Sequence, residues 1–101
     1  MTRDEIIAKL KETAPALQAE GVRRLAIFGS RARGDAREDS DLDVLVDVDG
    51  TKFKGLGLIG VLADAQRTIS AATGIPTHAE LQRSIEPQFA RRIADDLIEI
   101  F

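Results

Sequence analysis

The feature that most constrains the fold is a strictly alternating run of apolar and mostly acidic residues between positions 41 and 49. The apolar side of this run consists of Leu42, Val44, Val46 and Val48. The other side consists of Asp41, Asp43, Leu45, Asp47 and Asp49. Because a period of two is that of a strand with one buried face, the run predicts a β-strand from Asp41 to Val48. Asp41 and Asp43 then project together from the same side.

Asp41 and Asp43 are interpreted as a binding site for a divalent cation. Two adjacent carboxylates repel each other, so stability alone gives no reason to place them side by side. Oxygen ligands suit Mg²⁺, which commonly takes one or two protein carboxylates and completes its shell with water and substrate phosphate. The alternative is a solvated acidic edge that binds nothing. Asp47 and Asp49 are assigned to solubility at the strand end and to turn formation.

A Gly29-Ser30 turn directly follows the apolar run Leu25-Ala26-Ile27-Phe28. Glycine allows a close approach to the backbone, and a helix that begins at Ser30 would direct free N–H groups toward an anion. Taken alone, this turn fits an ordinary strand-to-helix connection. Combined with the carboxylate pair, it predicts a site for a nucleoside triphosphate.

Periodicity and turn residues predict a single α/β (α+β) domain over residues 1–101. The sheet is expected to be small and mixed, with about three strands and with helices packed on one face. The expected helices are one from Thr2 to Gly21 with a break or kink at Pro15, a short one at 30–33, one at about 56–73, and a last one from Pro87 lined by Phe89, Ile93, Leu97 and Phe101. The expected strands are 22–28, 41–48 and 75–81. Residues 50–60 fit either a loop over the site or the approach to the third helix.

Composition excludes several classes of protein. The chain has no cysteine, which excludes a disulfide framework and a thiolate metal site. No apolar run approaches the ~20 residues that span a bilayer, and the N-terminus is too polar for a signal peptide, so a cytoplasmic protein is expected. The net charge of -3 and the absence of tryptophan and tyrosine argue against binding to long nucleic acid.

Three short motifs carry a resemblance to a known family. Gly29-Ser30, Ala32-Arg33-Gly34 and Ser40-Asp41-Leu42-Asp43 resemble the signature of the DNA polymerase β-type nucleotidyltransferase superfamily. The short chain and the Ala-Arg-Gly sequence resemble its minimal branch most closely. The resemblance covers nearly the whole chain and implies a polymerase β-like nucleotidyltransferase fold.

The resemblance also implies a reaction and a site. Members of the superfamily transfer a nucleoside monophosphate, usually AMP from ATP, to a hydroxyl and release pyrophosphate. Gly29 and Ser30 would hold the β- and γ-phosphates, and Asp41 and Asp43 would hold Mg²⁺. Arg33 would either assist the phosphates or tie down the turn. Arg31 and Arg37 are assigned to a solvated loop of mixed charge.

A protein partner is also implied by the resemblance. Minimal members commonly pair with a small helical toxin of the HEPN class and act as antitoxins, some by attaching AMP to a tyrosine of the toxin. A homodimer and a hetero-oligomer both remain open.

The chain departs from the family pattern at one position. The third carboxylate of the family, a metal ligand and base, aligns with His78 in this sequence. A neutral histidine can accept a proton, although it is a poorer ligand for Mg²⁺. Glu80 would share a face with His78 and would supply an oxygen if the register of the strand shifted. Two readings therefore stand, an active transferase and a degenerate module that neutralises its partner by contact alone, and His78 without any role is a third outcome for that residue.

Overall fold

The computed structural model describes residues 1–101. Its helices are α1 (Arg3–Glu20), α2 (Gly29–Arg33), α3 (Leu56–Thr73) and α4 (Pro87–Ile93). Its strands are β1 (Val22–Phe28), β2 (Leu42–Val48), β3 (Thr77–Leu81) and β4 (Ile98–Glu99). A short helical turn at Gln82–Ser84 joins β3 to the segment before α4. None of the helices is both long and apolar enough to cross a bilayer.

The four strands form one mixed sheet in the order β3-β2-β1-β4. β1 pairs with β2 and with β4 in antiparallel orientation, whereas β2 and β3 are parallel. α3 supplies the crossover that a parallel pair requires. The predicted fold class, a small mixed sheet with helices, is confirmed.

One face of the sheet packs against α1 and α3 and forms the main core. Every apolar position of the alternating run on this side is fully buried, namely Leu42, Val44, Val46 and Val48. They lie in one cluster with Ile6, Leu10 and Leu17 of α1 and Val61, Ala65 and Ile69 of α3. Burial of a side chain of this size typically contributes about 1.5–3 kcal/mol, so the register of β2 is strongly specified.

The opposite face of the sheet carries a smaller apolar cluster beneath α4. Ala26, Phe28, Leu45 and Ile93 form its buried part. The rings of Phe28 and Phe89 meet edge to face with their centroids 5.7 Å apart. Helices therefore cover both faces of the sheet, whereas the sequence predicts helices on one face only. The reason is that Ala26, Phe28 and Leu45, whose side chains point away from the main core, are apolar and pack against α4.

The C-terminal segment also differs from its expected structure. α4 ends at Ile93, so Leu97 and Phe101 do not continue its apolar stripe. Instead, β4 pairs with Ala26 and Ile27 of β1. The Ile100 N–H donates to the Leu25 carbonyl at 2.8 Å. The free edge of β1 would otherwise leave these backbone groups unpaired, and the fourth strand satisfies them.

α1 begins and ends where the sequence signals predict. Thr2 and Glu5 form a capping box, and Gly21 ends α1 in the left-handed conformation with φ at 112°. α1 nevertheless continues through Pro15, so of the predicted break or kink the break is wrong and the kink stays a prediction. Leu10 and Leu17, on either side of the proline, are both fully buried. Their packing outweighs the one backbone hydrogen bond that proline removes.

Residues 50–55 form the approach to α3. The Asp49 carboxylate accepts hydrogen bonds from the N–H and the hydroxyl of Thr51, which builds the predicted turn. Phe53 packs against the main core. This segment follows the end of β2 remote from Asp43, so of the two alternatives for residues 50–60 the structure shows the helix approach.

Candidate active site

The site is organised by the meeting of two strand ends. Phe28, the last residue of β1, pairs with Asp43 near the start of β2. Gly29 follows with φ at 76°, and a Cβ built on it would lie 2.6 Å from Oδ2 of Asp43. The Gly29-Ser30 turn and the Asp43 carboxylate therefore meet at one rim of the sheet. Ser30 comes next in the chain, in the first turn of α2.

The pKa of Asp43 depends on its burial and on the charged side chains around it. Burial raises the pKa of the Asp43 carboxyl above its ordinary value. His78 lowers that pKa, the negative charges of Asp41 and Glu80 raise it, and Arg33 lowers it. Asp41 is exposed and Asp43 is half-buried, so a ligand can reach both from solvent. The net effect is a raised pKa, with burial as its largest cause.

β3 brings two further side chains to the same region. His78 pairs with Asp43 across the parallel strands, and Glu80 pairs with Leu45. The side chain of Ala79 is buried in the main core. His78 and Glu80 alternate with Ala79, so their side chains lie on the other face of the sheet. Asp43 lies on that same face. Nε2 of His78 and Oε1 of Glu80 are 2.8 Å apart. The register places the imidazole, rather than Glu80, beside Asp43.

Arg33 is held by carboxylates at the C-terminal end of α2. Its guanidinium donates to Asp96 at 2.9 Å and to Asp35 at 3.2 Å. Hydrogen bonds to these two side chains, Asp96 first, raise the pKa of Arg33. Of the two roles considered for Arg33, its contacts favour tying down the turn, here by linking it to the segment after α4.

Arg31 has a different environment from the solvated one expected for it. Its exposed fraction is only 9%. The guanidinium donates to the carbonyls of Ser40, at 2.8 Å, and Glu38, at 3.3 Å. Arg31 thus fastens α2 to the loop that leads into Asp41, and the prediction of a solvated side chain is wrong. The spacing alone gave no signal, because both acceptors are backbone groups.

No sequence pattern points to Asp96. It lies 63 residues from its partner Arg33 and belongs to no motif. The packing of α4 against the sheet brings Asp96 close to Arg33, so no local sequence pattern predicts this contact.

The residues at this rim fit a hard divalent cation. Asp41 and Asp43 offer only oxygen, and their mutual repulsion is what a bound cation relieves. No cluster of three or more His, Asp or Glu side chains is arranged to hold a metal. A cation here would therefore take most of its ligands from water and phosphate, which is the usual coordination of Mg²⁺.

Comparison with known proteins identifies the family. The family described as "Nucleotidyltransferase domain" matches residues 4–99. The chain is 28% identical over 80 residues to the protein adenylyltransferase MntA of Thermococcus cleftensis, covering 79% of this chain and 76% of that protein. It is 29% identical over 90 residues to a protein of Methanocaldococcus jannaschii provisionally named a protein adenylyltransferase, covering 89% of this chain and 91% of that protein. The expectation of a nucleotidyltransferase enzyme is confirmed.

Solved structures agree with this assignment. One, provisionally described as a minimal nucleotidyltransferase, superposes with a TM-score of 0.77 at 28% identity and covers 97% of this chain and 95% of that one. A toxin–antitoxin structure with AMP-PNP superposes with a TM-score of 0.68 at 14% identity, covering 90% of this chain and 72% of that one, which shows a shared fold. The chain therefore belongs to the nucleotidyltransferase domain family, within its minimal branch.

Proposed function

We propose that this protein is an Mg²⁺-dependent nucleotidyltransferase that transfers AMP from ATP to a hydroxyl on a partner protein. The partner we propose is a toxin of the HEPN class, which makes this chain an antitoxin. The observation that carries the proposal is the close approach of Gly29 to Asp43, with a would-be Cβ 2.6 Å from the carboxylate. This approach supports a phosphate site at the Gly29-Ser30 turn, next to the carboxylate of Asp43.

The phosphates are assigned to the turn. The first N–H groups of α2 have no partner within the helix, and Gly29 lets an anion approach the backbone closely. Gly29 and Ser30 would bind the β- and γ-phosphates. Arg33, already held by Asp96, keeps the turn in place and adds positive charge nearby.

The cation is assigned to the acidic pair. Asp41 and Asp43 would hold Mg²⁺, and a bound Mg²⁺ supplies charge neutralisation on the phosphates. The raised pKa of Asp43 supports this assignment, because burial and the charge of Asp41 disfavour an unneutralised carboxylate.

The acceptor hydroxyl is assigned to the side of His78. This imidazole pairs with Asp43 across the strands and is exposed, so a side chain of a partner protein can reach it. It takes the place that the family gives to a third carboxylate, and it would accept the hydroxyl proton.

The partner is proposed from the relatives. Two similar proteins are named as protein adenylyltransferases, one of them provisionally. The fold is also shared with a structure of a variant of the toxin–antitoxin MntA-HpeT, at a TM-score of 0.65 and 15% identity.

A second candidate function is neutralisation by contact alone. The observation that favours it is His78 itself, since a histidine is a poorer ligand for Mg²⁺ than the carboxylate expected there. In that case the site would bind nucleotide without turnover.

A transfer assay separates the two functions. The purified protein is incubated with α-labelled ATP, Mg²⁺ and the protein encoded by the neighbouring gene, and label on that partner is measured. We expect transfer by the wild type, none by Asp43→Asn, and near-normal transfer by Asp47→Asn. Asp47 is the matched control, because it lies on the same side of β2 but pairs with Arg23 at 2.8 Å. Absence of transfer by the wild type, while Asp43→Asn still neutralises the partner, would support contact alone.

A further inference from the structure

We propose that Glu80 is a positioning residue that fixes the tautomer of His78 and leaves Nδ1 of the imidazole free to accept the acceptor proton. The proposal rests on the transfer function proposed above, because it assigns His78 to the acceptor side of that reaction.

The geometry of the pair is direct. Nε2 of His78 lies 2.8 Å from Oε1 of Glu80, a distance typical of a charge-assisted hydrogen bond. The two residues are separated by one position on β3, so both side chains rise from the same face of the sheet. His78 pairs with Asp43, whereas Glu80 pairs with Leu45, one step further from the rim. The hydrogen bond to the ring therefore comes from a residue one step further along β3.

This hydrogen bond determines which nitrogen carries the proton. An ionised carboxylate only accepts hydrogen bonds, so Nε2 must be the donor. A neutral imidazole has one N–H, and therefore Nδ1 keeps its lone pair. Nδ1 can therefore act as the base that accepts the proton of a hydroxyl group.

Stability does not account for the pair. The side chains of His78 and Glu80 are 57% and 38% exposed. Contacts of this kind between exposed charged groups contribute little to the free energy of unfolding. The same exposure leaves the imidazole accessible to a side chain of another protein, as the proposed acceptor requires.

The step balances without any further reactant. The acceptor O–H bond breaks and its proton passes to Nδ1, while the oxygen forms a bond to the α-phosphorus of ATP. The bond from the α-phosphorus to the bridging oxygen breaks, and pyrophosphate leaves with that electron pair. Glu80 stabilises the imidazolium that results, without itself taking the proton.

A double-mutant cycle in transfer kinetics tests the role of Glu80. We expect His78→Ala to lower kcat on the order of 10²-fold or more, the usual contribution of a general base. Glu80→Ala should lower kcat by about 10-fold to 100-fold, by analogy with the loss of a partner that orients a metal-ligating histidine. The double variant should be no slower than His78→Ala, and KM for ATP should stay unchanged in all three. Glu80→Gln, which keeps an oxygen at the same place, should recover part of the rate.

The tautomer can be read without any activity. His78 is the single histidine of the chain, so its ring gives an unambiguous nitrogen-15 signal. At a pH where the ring is neutral, we expect the proton on Nε2 in the wild type and a mixture of tautomers in Glu80→Ala.

The two measurements separate failure of this proposal from failure of the transfer function. A spectrum that Glu80→Ala leaves unchanged, or losses in kcat that multiply in the double variant, would overturn the role of Glu80. A wild type with the Nε2–H tautomer and no transfer would instead overturn the transfer function, and with it the role of Glu80 in catalysis.

Discussion

Gly29 faces Asp43 so closely that no side chain fits between them: a Cβ at residue 29 would lie 2.6 Å from Oδ2 of the carboxylate. Gly29 also has φ at 76°, a conformation that other residues adopt only at a cost. Glycine is therefore required here for two independent reasons, one in the backbone and one in the site.

The first prediction separates those reasons. Gly29→Ala should lower the free energy of unfolding by about 1–3 kcal/mol through backbone strain and should also weaken ATP binding by displacing Asp43. Gly74→Ala is the matched control, because Gly74 has φ at 72° and nothing within 4 Å of its would-be Cβ. We expect similar backbone strain in both variants but normal ATP affinity in Gly74→Ala, measured by urea unfolding and calorimetric titration. Equal ATP affinities in the two variants would contradict the proposed site.

The second prediction concerns the pH dependence of stability. Burial raises the pKa of Asp43 in the folded state above its unfolded value. The folded state therefore binds the proton more tightly, and stability falls as pH rises from the ordinary carboxyl pKa through the raised one. Without Mg²⁺, Asp43→Asn should be more stable than the wild type at neutral pH, and the difference should vanish in acid.

Asp49→Asn provides a control of opposite sign for that experiment. Hydrogen bonds from Thr51 lower the pKa of Asp49, so its ionised form stabilises the folded state above the ordinary carboxyl pKa. This variant should lose stability at neutral pH and lose less in acid, as measured by thermal unfolding across the pH range. A metal-free Asp43→Asn protein that melts below the wild type at neutral pH would refute the assigned cause.

The sequence predicts the central strand β2 better than the edge strand β4. The alternation through Leu42 and Val44 reports burial directly, because each apolar residue on that side contacts the helical layer. β4 has only two residues, Ile98 and Glu99. It forms because they pair with backbone groups of β1 that would otherwise lack hydrogen-bond partners. Such a strand depends on a contact between distant parts of the chain, and its own residues carry no periodic signal.

The candidate site divides in the same way. The proximity of Gly29 and Asp43 follows from motif spacing, because both lie where β1 and β2 meet. The contacts of the two arginines do not follow from motif spacing. The path of a loop places the carbonyl that accepts from Arg31, and the packing of α4 places Asp96 beside Arg33.

The third prediction concerns Arg31 as a fastener of the loop before Asp41. Arg31→Met should lower the free energy of unfolding by about 1–3 kcal/mol, because hydrogen bonds from a charged donor to the carbonyls of Glu38 and Ser40 are lost. Arg37→Met is the control in the same loop, since the Arg37 side chain is exposed. Urea unfolding should leave the control unchanged. A wild-type midpoint in Arg31→Met would show that the loop does not need this contact.

The fourth prediction distinguishes the two roles of Arg33. If its bond to Asp96 ties down the turn, then Arg33→Gln and Asp96→Asn should weaken ATP binding by the same factor, and the double variant should be no worse. If Arg33 instead binds phosphate, Asp96→Asn should leave the affinity intact. Calorimetric titration with ATP and Mg²⁺ measures all three variants.

The most direct measurement is a crystal structure with a non-hydrolysable ATP analogue and Mn²⁺, whose anomalous signal locates the metal. We expect the metal between the carboxylates of Asp41 and Asp43, with the β- and γ-phosphates against the backbone N–H groups of Gly29 and Ser30. Metal or phosphates bound elsewhere, with the rim of β1 and β2 empty, would contradict the proposed nucleotide site.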